Sequence, residues 1–204
     1  MPGPATPPAR QRRLQRAPDF TGDRLSSFRE VFWRHGLPGL ALALCFLAIP
    51  EFQTLLAESL SRGSAQIVQY AAVFVVILLA LNAYIWVTKQ HWDLWQLGWI
   101  LYLGALSFWE EWVFRLALPQ LLEGFGASVW MAALLSALVF GGAHYFTLRW
   151  KWQWCVGAFF GALYFSRQME VHGDLLLVAA IHWVATTLNT PRPPRPLRPA
   201  DADQ

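Results

Sequence analysis

Residues Leu103 to Leu118 read Leu-Gly-Ala-Leu-Ser-Phe-Trp-Glu-Glu-Trp-Val-Phe-Arg-Leu-Ala-Leu, an apolar, aromatic run interrupted by Glu110, Glu111 and Arg115. The stretch is the second half of a longer apolar run, Leu94–Leu118, long enough for a membrane-spanning helix. Within such a helix each ionisable group costs about 2.5–3.5 kcal/mol on insertion scales. Core packing never requires three of them. Their presence points to chemistry or to a buried polar network.

Working outward, the same character continues on both sides. Of 204 residues, 55% are apolar and 12 are tryptophan, while only 14% are charged, against about 25% in a typical soluble domain. The charges cluster between apolar runs rather than along them. This is the pattern of an integral membrane protein. Six runs are legible: Leu37–Leu56, Ala65–Val87, Leu94–Leu118, Val129–Thr147, Trp154–Ser166 and Leu175–Leu188. The first contains Pro50 and Glu51 and is expected to kink or end early there. The last two fall short of the ~20 residues a straight span needs and must recruit neighbours such as Trp152 and Asn189. The expected fold is an all-α polytopic helical bundle of about six transmembrane helices.

The domain plan follows. Residues 1–35 form a basic, largely disordered tail, although Leu25, Phe28, Val31 and Phe32 have the spacing of an interfacial helix over Asp23–Arg34. Residues 36–189 form the membrane domain. Residues 190–204 form a Pro/Arg-rich tail. Arginines at 10, 12, 13, 16, 24, 29 and 34, then Lys89, Arg149 and Lys151, and Arg192, Arg195 and Arg198 all mark one side, against Arg62 and Arg167 on the other. The excess puts both termini in the cytoplasm and favours an even number of spans. The expected location is the inner (plasma) membrane of a bacterium. The basic pI, near 9.1, comes from the tails and does not indicate nucleic-acid binding. Cys45 and Cys155 lie within apolar runs without metal-site spacing and read as buried thiols, not as a disulfide pair. No repeat, phosphate-binding glycine loop, Gly-x-Ser-x-Gly or His-Glu-x-x-His occurs, which disfavours several hydrolase and transporter classes.

Three polar clusters carry the functional content. Glu111 and Arg115 are four residues apart, share a helix face and can pair, a purely structural explanation for both. Glu110 points about 100° away from Glu111 and has no cation three or four residues distant on its own helix. It is therefore the carboxylate available to activate water. Phe140 and His144 share a face of the fourth run, where Gly141, Gly142 and Ala143 permit close helix approach. His182, Thr186 and Asn189 form one polar stripe on the sixth run, either interhelical glue or part of a site. One shared cavity would account for all three clusters. Glu110, His144 and His182 also suit zinc, although no spacing fixes an ion, and a metal-free carboxylate-activated water is equally compatible.

In this order, Glu-Glu-x-x-x-Arg (110–115), Phe-x-x-x-His (140–144) and His182 resemble the motifs of the CAAX-protease and bacteriocin-processing family, which includes the type II CAAX prenyl endopeptidases. The resemblance covers roughly Leu97 to Asn189. It implies a polytopic intramembrane endopeptidase in which Glu110 is the base and Glu111 and Arg115 support it. His144 and His182 would then position water, a metal or the tetrahedral oxyanion. The family has been described both as metal-dependent and as glutamate-dependent. No cofactor is favoured, with zinc on Glu110, His144 and His182 as the alternative. Implied partners are the lipid bilayer and a membrane-anchored or lipidated protein or peptide: a CAAX-like tail, a bacteriocin precursor or a C-terminal sorting tail. Thr186 stands where the third motif usually has asparagine, and Asn189, one turn on, is the candidate substitute. The competing reading is a non-proteolytic membrane protein for bacteriocin immunity or scaffolding, with the charges purely structural.

Overall fold

The computed structural model describes residues 28–64, 67–89 and 93–192, with backbone alone at 61–64, 67 and 89. The expectations for residues 1–27 and 193–204 lie outside the described residues. Among those described the secondary structure is all helical: α1 (Phe28–Leu47), α2 (Pro50–Ser64), α3 (Ile67–Lys89), α4 (Leu94–Glu111), α5 (Leu118–Gly124), α6 (Val129–Thr147), α7 (Trp152–His172) and α8 (Leu175–Asn189). Among the described residues all six apolar runs are helical, apart from a break at Ala48 and Ile49 in the first. Asp93, Ser128 and Asp174 start α4, α6 and α8 by accepting from the backbone N–H three residues on, satisfying donors that a helix start leaves open. Gly173 ends α7 in the left-handed conformation (φ 62°) that glycine adopts without steric cost.

The first run breaks as Pro50 foretells. α1 and α2 meet at 104° across Ala48 and Ile49. The third run does not break: α4 passes through a π-helical stretch, Trp112–Ala117, directly into α5. A second π-helical stretch, Phe32–Gly36, lies inside α1. By length and composition Val68–Thr88 and Val129–Thr147 are suited to cross a membrane, and the bent pair α1–α2 makes a third if it counts as one span. α8 is apolar but shorter, and it reaches Asn189, just as α7 begins at Trp152.

The folded chain includes Phe28–His35, a segment the sequence placed in the tail and, up to Arg34, in its candidate interfacial helix. Phe28 packs edge-on against Trp99 and Tyr102, and Val31 and His35 are buried. A run of apolar residues too short to register as a span was enough to anchor it. Cys155 is buried as expected; Cys45 is exposed instead, and neither is in a disulfide.

Packing concentrates on two pairs, α4 against α8 and α6 against α7. Between α4 and α8, Trp183 lies against Gly104, where a Cβ would stand 3.1 Å from its ring, and donates from Nε1 to the Ile100 carbonyl (2.7 Å). Between α6 and α7, Gly141 faces the Cys155 carbonyl, which a Cβ would approach to 2.9 Å, while Gly142 faces open space. Helix α3 contributes Leu81 and Ile85 to the core and leaves Val68, Val73, Phe74, Val75, Val76, Leu79, Trp86 and Val87 exposed. So much contiguous apolar surface is unsuited to water and suited to lipid.

Candidate functional site

Glu110 and Glu111 close α4, immediately before the backbone shifts to π-helical geometry. That shift spoils regular i to i−4 pairing, and the Phe114 carbonyl accepts instead from Ser136 Oγ (2.6 Å) and Arg115 Nη1 (3.2 Å). Such stretches often mark functional positions because they re-aim side chains. Here they hold Arg115 in one and His35 in the other.

The two glutamates face different partners, as their offset on the helix requires. Glu111 Oε2 lies 3.0 Å from Arg115 Nε, both side chains fully buried, and its Oε1 lies 2.7 Å from His182 Nδ1. The first is a buried ion pair and the second a close carboxylate–imidazole contact, and neither has hydrogen-bond geometry. The Arg115 guanidinium also sits over the Phe140 ring, 4.6 Å from its centre. Phe140 in turn touches the rings of His144 and His182, at 4.5 and 6.0 Å between centres. It is the apolar spacer around which the three motifs pack.

Glu110 is buried, 4% exposed, and is surrounded by histidines from three other helices. His182 Nε2 stands 3.8 Å from its Oε2. His35 Nε2 stands 2.7 Å from its Oε1. His144 completes the group: its ring lies 5.0 Å from that of His35, and ligand atoms of His35, Glu110 and His144 all fall within 4.8 Å of one another. The structure therefore brings Glu110, Glu111, Arg115, Phe140, His144 and His182 together. Thr186 is half-buried one turn beyond His182, and Asn189 is exposed at the last turn of α8.

Hydrogen-bond geometry fixes the tautomer of His144 and allows His35 two. The Thr147 hydroxyl lies 2.7 Å from both the Ala143 carbonyl and His35 Nδ1, so with its hydrogen on the carbonyl it accepts from Nδ1, and with its hydrogen on Nδ1 it leaves Nε2–H for Glu110. His144 Nδ1 lies 2.8 Å from the Phe140 carbonyl, which accepts only, so that nitrogen carries hydrogen. Nε2 of His35 is thereby turned on Glu110, and Nε2 is the nitrogen His144 has left to offer. At 2.7 Å, the contact of His35 Nε2 with a carboxylate oxygen is hydrogen-bond length and needs a shared proton, since two bare lone pairs repel.

His35 is the residue that sequence reasoning missed. It precedes the first apolar run by two positions and belongs to no motif. Neighbouring Arg34 shows how it is held: its guanidinium donates to the Thr147 and Phe146 carbonyls (both 3.1 Å), groups left open at the C-terminal end of α6. The metal-capable group consequently differs by one member from the expected set, with His35 in place of His182. The reason is distance: ligand atoms of His35, Glu110 and His144 lie within 4.8 Å of one another, while His182 Nε2 faces the other oxygen of Glu110 at 3.8 Å.

A cavity of about 560 Å³ opens on the other side of Arg115, lined also by Glu58, Ser59, Glu123, Trp130 and Arg167. Residues 91–188 match a family model described as type II CAAX prenyl endopeptidase Rce1-like. The match includes Glu110, Glu111, Arg115, Phe140, His144, His182 and Thr186, and leaves out His35 and Asn189. No curated protein and no solved structure matches the chain.

Proposed function

Since residues 91–188 place this integral membrane protein in the type II CAAX prenyl endopeptidase Rce1-like family, we propose that it hydrolyses a peptide bond in a membrane-anchored or lipidated protein or peptide. Candidate substrates are CAAX-like tails, bacteriocin precursors and C-terminal sorting tails. The observation that carries the reading is the convergence of Glu110, His144 and His182, from three separate helices, on one buried point.

In this reading Glu110 takes the proton of a water as the water attacks the scissile carbonyl, and later returns it to the leaving amine. His144, fixed at Nδ1 by the Phe140 carbonyl, turns Nε2 toward that water. His182 is assigned the oxyanion, with Thr186 one turn along α8 as its companion. Preorganised donors of this kind are worth roughly 3–4 kcal/mol in the transition state. Glu111 and Arg115 offset each other's charge and hold His182 in place. No step requires a metal. The chain is assigned to a bacterial inner membrane with both termini cytoplasmic, in keeping with its arginine distribution.

The test is a deletion strain examined by proteomics for uncleaved membrane precursors, complemented with wild type or Glu110→Gln. Restored cleavage by wild type and none by an equally abundant Glu110→Gln protein supports the reading. Full complementation by Glu110→Gln points instead to a non-proteolytic role in immunity or scaffolding.

A further inference from the structure

We infer that His35, Glu110 and His144 form a three-ligand site for a divalent transition metal, with zinc the ion that best fits the donor set. Two imidazole nitrogens and one carboxylate oxygen are zinc's usual ligands, bound at about 2.0–2.2 Å. Magnesium and calcium prefer oxygen throughout, so two nitrogens out of three argue against them. The three ligand atoms already lie within 4.8 Å of one another, and all three residues are buried.

The second observation is the way both histidines are held from behind. Metal-binding histidines almost always give their other ring N–H to an acceptor, which fixes the tautomer and aims the free nitrogen. Here His144 gives Nδ1–H to the Phe140 carbonyl, and Thr147 Oγ1 stands 2.7 Å from His35 Nδ1, placed to accept its hydrogen when Nε2 binds an ion. An ion bound by both His35 Nε2 and Glu110 Oε1 replaces the proton they share at 2.7 Å and parts the two atoms to roughly 3.3 Å, the ligand spacing of a tetrahedral zinc site. Three protein ligands leave a fourth position open. Two of the three ligands come from the matched segment and one from α1, which lies outside it.

His182 is not a ligand. Its Nδ1 is 2.7 Å from Glu111 Oε1, and its Nε2 faces the other oxygen of Glu110 at 3.8 Å. An ion seated on Oε1 engages the carboxylate that the proposed hydrolysis uses as base, so zinc loading turns cleavage off. This consequence rests on the hydrolase reading; the binding itself does not.

The experiment uses untagged full-length protein in detergent, stripped with a chelator and titrated with zinc chloride by calorimetry, with cobalt(II) absorption as a second readout. Wild type and His182→Ala are expected to bind one zinc per chain with similar affinity. His35→Ala and His144→Ala are expected to bind at least tenfold more weakly. Thr147→Val keeps every ligand and removes only the partner of His35 Nδ1, and a roughly tenfold or greater loss is expected. This variant carries the test if His35→Ala does not accumulate. Wild type that takes up no zinc, wild-type affinity in Thr147→Val, or loss confined to His182→Ala each overturns the site. A chain that binds zinc through these ligands yet cleaves nothing even when metal-free overturns the hydrolase reading and leaves the site standing, whereas metal-free cleavage that persists on zinc loading overturns the switching-off.

Discussion

His35 and Glu110 meet at 2.7 Å although 75 positions separate them in the chain. The contact ties the start of α1 to the end of α4 at the point where three motif helices converge. A hydrogen bond to a charged group is worth about 1.5–3 kcal/mol. If Glu110 is the base, that bond holds it in one orientation before water arrives. His35→Ala is therefore expected to lower cleavage by roughly ten- to a hundredfold, mostly in turnover, with His35→Gln partly restoring it through its amide donor. Unchanged turnover in a well-folded His35→Ala protein would remove His35 from the working site.

Glu110→Gln keeps size and burial but cannot take a proton. General-base catalysis contributes typically 10²–10⁴-fold, so cleavage of an accumulated membrane precursor should fall by about that factor at normal protein abundance. Immunoblotting of precursor and product in matched membranes reads this directly. Residual cleavage within a fewfold of wild type would assign the base elsewhere.

Much of this arrangement could be read from the residues alone, for a physical reason. Buried charge in an apolar helix is costly, so Glu110, Glu111 and Arg115 announce themselves, and the four-residue spacing of Glu111 and Arg115 already contains their 3.0 Å contact. Pro50 likewise announces the break between α1 and α2. His35 was silent because its neighbours, Arg29, Glu30 and Arg34, give the segment a tail's composition. The remaining signal was tertiary: Arg34 and His35 bond to the end of α6, more than a hundred residues away. The π-helical shift after Glu111 was equally illegible, since no proline or glycine lies within Trp112–Ala117 to mark it.

Topology can be read with reporter fusions after Lys89, Glu123, Trp150 and His172. The lysine and arginine distribution leads to cytoplasmic signals at Lys89 and Trp150 and external ones at Glu123 and His172. A cytoplasmic signal at Glu123 would reverse the assignment for α4 and α5 and would require a different entry side for substrate.

Gly141 and Gly142 separate packing from composition. A methyl group at Gly141 would stand 2.9 Å from the Cys155 backbone carbonyl, which cannot move without shifting α7, whereas at Gly142 it meets open space. Overpacking of this kind costs typically about 1–3 kcal/mol. Thermal unfolding in detergent should show Gly141→Ala destabilised by that order. Gly142→Ala should be unchanged or slightly stabilised, since alanine is the better helix former. Equal effects at both sites would mean that α6 and α7 do not approach as described.

The Glu111–Arg115 pair allows the sharpest test of the buried network. Removing one partner of a buried ion pair costs about 3–5 kcal/mol, because the survivor keeps its charge without its counterion. Each survivor here retains something. Arg115 without Glu111 still lies over the Phe140 ring at 4.6 Å, and Glu111 without Arg115 still faces His182 Nδ1 at 2.7 Å. Glu111→Leu and Arg115→Leu should therefore each destabilise by the lower end of that range, about 3 kcal/mol. The double replacement leaves no orphaned charge between the two positions and should cost clearly less than the sum, with a coupling on the order of 1–3 kcal/mol. Denaturant titration of the four proteins in one detergent gives the cycle. Strict additivity would mean that the two side chains, though adjacent, do not stabilise each other, and that the closing of α4 depends on other contacts.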